Sequence, residues 1–231
     1  MIAKGTTKYN VIYHGQNKVQ RIYKGNNKIY EYLPINYTEC KYISSNADAH
    51  IVTDFIPNNF NNNYTVILDI QITDLTSSNS NFYICGTGTT GGRSCNIRIS
   101  SSGAMAGYNH TGSSATLFAS VTASQADVLN RNIFKMVLID GGISKIIKDN
   151  VEYTENVTTN SNSTNTFKIF YATGNKAKMK LFNCKIYDEN NKLIRYYIPC
   201  LDDSNVPCLY EQKTKTTLYN AGSGTFGYEI V

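Results

Sequence analysis

Residues 64–73 read YTVILDIQIT, with an aliphatic side chain at every second position from Val66 through Leu68 and Ile70 to Ile72. Successive side chains of a strand point to opposite sides, so these four share one face. A helix of 3.6 residues per turn would scatter them around its circumference. The stretch is therefore a half-buried β-strand. Outward from it, short runs rich in Ile, Val, Tyr and Thr alternate with clusters of Asn, Ser and Gly. Strands are expected at 39–44, 50–53, 81–86, 94–100, 104–110, 116–121, 133–140, 142–148, 151–156, 166–171, 179–188, 193–200 and 216–220. That spacing predicts an all-β, antiparallel two-sheet sandwich. One short helical segment is expected at 124–131, where Ser124 caps a turn carrying Val128 and Leu129.

Composition agrees. The chain has 231 residues, 41% apolar and 17% charged, with 28 Asn, 23 Thr and 18 Tyr. It is long enough for one large domain and an appendage, and too sparsely charged for a disordered chain or a coiled coil. The net charge of +5 is modest, and no two Lys or Arg are adjacent, so nucleic acid is not an expected partner. No window approaches the roughly 18 apolar residues of a membrane span, so no membrane insertion is expected. The opening residues MIAKGT lack the apolar run of a secretory signal. The six cysteines, Cys40, Cys85, Cys95, Cys184, Cys200 and Cys208, form no C-x-x-C pair and are read as buried thiols. Cys184 and Cys200 are the first pair to test for a bridge, being placed on neighbouring strands.

The N-terminus carries a ten-residue repeat. Residues 2–11 read IAKGTTKYNV, residues 12–21 IYHGQNKVQR and residues 22–31 IYKGNNKIYE, keeping Ile at the first position, Gly at the fourth and Lys at the seventh. Each unit combines a tight turn with β-formers, so a three-stranded antiparallel meander is expected. Three short strands bury too little surface to stand alone. Residues 1–36 are read as an attachment segment that docks on a partner or on a second copy, with Ile12, Tyr13, Ile22, Tyr23, Ile29 and Tyr30 as its contact residues; the alternative is packing on the adjacent domain of its own chain. Pro34 closes the segment, and residues 37–231 form the sandwich.

Tyr42-Ile43-Ser44-Ser45, His50-Ile51-Val52-Thr53 and Pro57 resemble the opening strand pair of the laminin-G-like (LamG), concanavalin A-like jelly-roll modules of bacteriophage and prophage virion proteins. Asp54 stands where that family prefers Gly. The closing residues match more fully: Cys184-Lys185-Ile186-Tyr187-Asp188, Leu193-Ile194-Arg195, Tyr197-Ile198-Pro199-Cys200, Leu209-Tyr210 and 218–226, LYNAGSGTF. Cys208 departs from the usual Gly. The resemblance covers roughly residues 37–231. It implies a non-enzymatic structural protein of a phage head or tail, a fibre or decoration component assembled in the bacterial cytoplasm and displayed on the virion. Its expected partners are copies of itself, as dimer or trimer, and other capsid or tail proteins. The alternative is an adhesin for host surface glycans.

The residues offer little to an enzyme. Glycosidases of this sandwich type set two Glu around an Asp on one strand, so that acid and nucleophile face one sugar bond. The only strand here with a central Asp has Ile67 and Gln71 beside Asp69, and the chain holds seven Glu in all. No catalytic residue is assigned. Gly86-Thr87-Gly88-Thr89-Thr90-Gly91 matches a dinucleotide-loop pattern but leads into the strand at 94–100 where a helix is required, so it is read as a hairpin loop. His14, His50 and His110 are widely separated, and 202–205, DDSN, offers too few oxygens for Ca²⁺. No cofactor or metal is expected. For glycan binding, which uses aromatic faces and polar loops, the candidates are Tyr64, Tyr83, Tyr108 and Arg93.

Overall fold

The computed structural model describes residues 12–14, 17–19, 21–24, 27–46, 48–75, 81–88, 94–111, 114–122, 125–159, 163–171 and 178–231. Four short strands come first: β1 Ile12–His14, β2 Asn17–Val19, β3 Arg21–Lys24 and β4 Asn27–Glu31. The sandwich follows with β5 Thr38–Asn46, β6 Ile51–Val52, β7 Tyr64–Asp74, β8 Asn81–Gly86, β9 Ser94–Ser100, β10 Met105–Thr111 and β11 Ser114–Val121. After helix α1 Gln125–Leu129 come β12 Asn132–Leu138, β13 Lys145–Lys148, β14 Val151–Tyr153, β15 Lys168–Ile169, β16 Lys178–Asp188, β17 Leu193–Leu201, β18 Pro207–Glu211, β19 Thr216–Leu218 and β20 Thr225–Ile230.

Two antiparallel sheets face each other. The smaller runs β11-β10-β9-β8-β15-β6; the larger runs β14-β13-β12-β7-β16-β5-β17-β18-β19, with β20 beside β5. The β16–β17 hairpin forks, and β5 bonds to β16 through Ile43–Ser44 and to β17 through Thr38–Glu39. Val66, Leu68, Ile70 and Ile72 of β7 all point into the space between the sheets, joined by Phe134 and Met136 from β12 and by Ile84, Ile97, Ile99 and Phe118 from the smaller sheet. The all-β, antiparallel two-sheet sandwich expected from the alternation is the fold. All fourteen strands expected in it are present. The structure adds β18 and β20, and it pairs Asp149 with Asn150, both at positive φ, in the two-residue turn between β13 and β14.

Gly107 of β10 explains one close contact. A Cβ there would meet the Phe118 ring at 2.3 Å, so only glycine leaves room for this aromatic against β10.

The leader differs from the meander expected. β1 pairs with β2 and β3 with β4 as two separate two-stranded sheets, each pair drawn almost wholly from a single ten-residue unit. The unit is a hairpin rather than one strand of a continuous ladder; its first copy, residues 2–11, lies outside the described residues. The chain after β4 does not leave the sandwich. Tyr32 and Leu33 are buried against Tyr196, Ile198, Cys200, Cys208 and Tyr210 in a second cluster on the outer face of the larger sheet.

Candidate functional site

Two outer faces carry concentrated polar and aromatic chemistry. On the larger sheet the decisive feature is a bulge in β16. Met179 and Leu181 face inward at odd positions, Cys184 and Ile186 at even ones, and the register slips between Leu181 and Asn183. The extra residue leaves Phe182 and Asn183 both partly exposed, next to Asp69 of β7. Asp69 is buried, and its carboxylate accepts Nε of Arg131 at 2.8 Å, Nη2 of Arg131 at 2.7 Å and Nδ2 of Asn183 at 3.0 Å. The Arg131 guanidinium lies over the Phe182 ring, 3.9 Å from its centroid. These groups open into a cleft of about 360 Å³ whose wall includes Tyr32, Glu39, Lys41 and Tyr196.

The charges of this cleft are engaged within the protein. Lys41 Nζ lies 2.6 Å from Glu229, and the Tyr32 hydroxyl donates to Glu39 at 3.2 Å. Asp69, the central acid of its strand, has both oxygens occupied. Ile67 and Gln71 flank it, and the Gln71 amide donates to the Leu129 carbonyl at 2.8 Å.

On the smaller sheet, Tyr83, Arg98 and Tyr108 alternate with inward Phe82, Ile97, Ile99 and Met105 and so share the outer face. Tyr83 stands directly opposite Arg98 across β8 and β9. The Arg98 guanidinium stacks on Tyr108 at 3.4 Å from the ring centroid, and His110 lies one step further along the same face. Among the described residues, Arg98 Nε, His110 Nε2 and both amide atoms of the fully buried Asn96 have no hydrogen-bond partner. Burial, then the nearby Arg98 charge, lowers the His110 pKa below its ordinary value. The face presents the Arg98 cation between Tyr83 and Tyr108.

Of the glycan candidates, Tyr83 and Tyr108 are brought together here, joined by Arg98. Tyr64 is not. It has the parity of Val66, so it turns inward and packs on Phe55 at 5.1 Å, and it belongs to the core. Arg93 lies outside the described residues. In the leader, Ile12 stands opposite Val19, Tyr13 opposite Lys18, Ile22 opposite Tyr30 and Tyr23 opposite Lys28; Ile29 has no opposite residue in the ladder. Cys184 and Cys200 lie on paired strands but opposite faces, Cys184 in the inter-sheet core and Cys200 in the outer cluster, because Cys184 stands opposite Tyr197 and Cys200 is three residues beyond Tyr197.

Two departures from the resembled pattern have structural partners. Asp54 receives Arg195 Nε and the Tyr197 hydroxyl at 3.2 and 3.1 Å, tying the β6 exit to β17. Cys208 opens onto Cys200. Residues 202–205 form a tight turn in which Asp202 accepts the backbone N–H of Ser204 and Val206 and the Tyr219 hydroxyl. Among the described residues no cluster of three or more His, Cys, Asp or Glu could hold a metal.

No family model matches the chain, and no curated protein matches it. Among solved structures it is similar to a native heptameric SAP-like pentraxin from Limulus polyphemus, at 8% identity and a TM-score of 0.46 over 84% of this chain and 94% of that one.

Proposed function

We propose that this chain is a non-enzymatic structural protein of a phage virion, a fibre or decoration component of head or tail, attached through its N-terminal hairpins and projecting a sandwich of the LamG, concanavalin A-like kind. The observation that supports this most is the independence of β1–β4: they pair only among themselves among the described residues, while the sandwich completes its two sheets without them. Short hairpins with open edges are suited to pairing with another chain, a second copy or a capsid or tail protein. The engaged Asp69 favours a role without hydrolysis. Removing residues 1–31, which keeps the Tyr32–Leu33 seat, tests the reading. Loss of both particle incorporation and self-association is expected, and wild-type incorporation would overturn it.

The Tyr83–Arg98–Tyr108 face favours a second role, adhesion to host surface glycans. Arg98 has no carboxylate partner among the described residues, so a glycan bearing carboxylates fits it best. An array of neutral and acidic glycans, read with wild type and Arg98→Ala, checks this: acidic glycans retained by wild type and lost by the variant support it.

A further inference from the structure

Cys200 and Cys208 stand directly opposite each other on β17 and β18, with their sulfur atoms 3.5 Å apart. Directly opposed residues of an antiparallel pair have Cα atoms about 4.5–5.5 Å apart, inside the roughly 4.4–6.8 Å that a disulfide spans. Closing the bond therefore asks for a side-chain rotation and no movement of the sheet. Both thiols are fully buried, and Tyr32 and Leu33, the end of the leader, belong to the cluster that covers them. Cys40 is the neighbouring thiol, while Cys85, Cys95 and Cys184 lie in the inter-sheet core. The hydrogen bond to Cys208 and burial hold the Cys200 thiol protonated, so attack on any disulfide waits until the cover lifts.

We propose that Cys200 and Cys208 form an oxidisable pair, closed to a disulfide by exchange with a small disulfide such as oxidised glutathione, at a rate set by the seating of Tyr32 and Leu33. With the seat open, one cysteine thiolate attacks oxidised glutathione, making a mixed disulfide and releasing one glutathione thiolate. The second cysteine gives up its proton and attacks the protein-bound sulfur, releasing the other glutathione. Two protein thiols are oxidised, one glutathione disulfide is reduced to two thiols, and the protons pass to the departing sulfurs. The bridge would then staple β17 to β18 beneath the leader, coupling the leader's attachment to the redox state of its surroundings.

The test uses the full chain in mixtures of oxidised and reduced glutathione, quenched by alkylation and mapped by peptide mass spectrometry. A Cys200–Cys208 bridge is expected in wild type and is abolished by Cys208→Ser. Leu33→Asp, which unseats the leader, is expected to speed bridge formation by about tenfold or more, since burying a Leu is worth at least one such factor. Tyr32→Ala is the milder opener. A bridge through Cys40 or between chains, or no bridge in either opened variant, overturns the pairing. Equal rates in wild type and both opened variants overturn the gating.

Discussion

The carboxylate of Asp69 sits in the fork of the Arg131 guanidinium, with Nε at 2.8 Å and Nη2 at 2.7 Å on separate oxygens. Asp69 is 7% exposed at its side chain and Arg131 56%, so the pair is a buried acid capped by a half-solvated cation. Arg131→Ala leaves that acid with Asn183 alone and should destabilise the fold by about 1–3 kcal/mol. Arg131→Lys should recover little, because an ammonium cannot make the two parallel bonds. Chemical denaturation of the two variants checks both.

Tyr32 and Leu33 bury against the sandwich, while among the described residues the hairpins before them do not pair with it. Deleting residues 1–31 should leave the unfolding midpoint nearly unchanged. Deleting 1–34 should cost about 3 kcal/mol, the value of two large buried side chains. Calorimetry of the two truncations separates the outcomes.

Gly107→Ala places a methyl group against the Phe118 ring at 2.3 Å. Overpacking of this kind costs about 1–3 kcal/mol. The double variant Gly107→Ala, Phe118→Leu should recover part of that loss, as a thermal denaturation series would show.

His110 has a folded-state pKa below its ordinary 6.5, chiefly from burial. The unfolded chain then binds the proton more readily, so the neutral ring's contribution is fully present above pH 6.5 and is lost as pH falls below that value toward the folded pKa. His110→Gln should flatten this part of the stability profile. Urea titrations between pH 7.5 and 5 are the measurement; each pH in that range is chosen about the His value.

The alternation of β7 was legible because it is long and strict, and it carried the sandwich with it. β18 escaped because Pro207 opens it and Cys208, Leu209 and Tyr210 are buried without alternating. β20 escaped because Gly224 and Gly227 make its neighbourhood read as loop. The Phe182–Asn183 bulge, on which the larger outer face depends, is a change of parity that becomes visible only when Asp69 is set opposite it. Tyr64 was misplaced although its parity with Val66 was open to view. The Cys200–Cys208 pairing needed β18, so it could not be seen until that strand was.

The self-contained pairing of each leader hairpin makes the leader modular. Because each of the two described ten-residue units closes its own ladder, such a unit can be gained or lost without breaking a ladder hydrogen bond of the other described unit or of the sandwich sheets. Leader length is thereby a free variable, a ruler whose divisions are ten residues, by which related chains can alter reach and the number of contacts without redesigning the domain they carry.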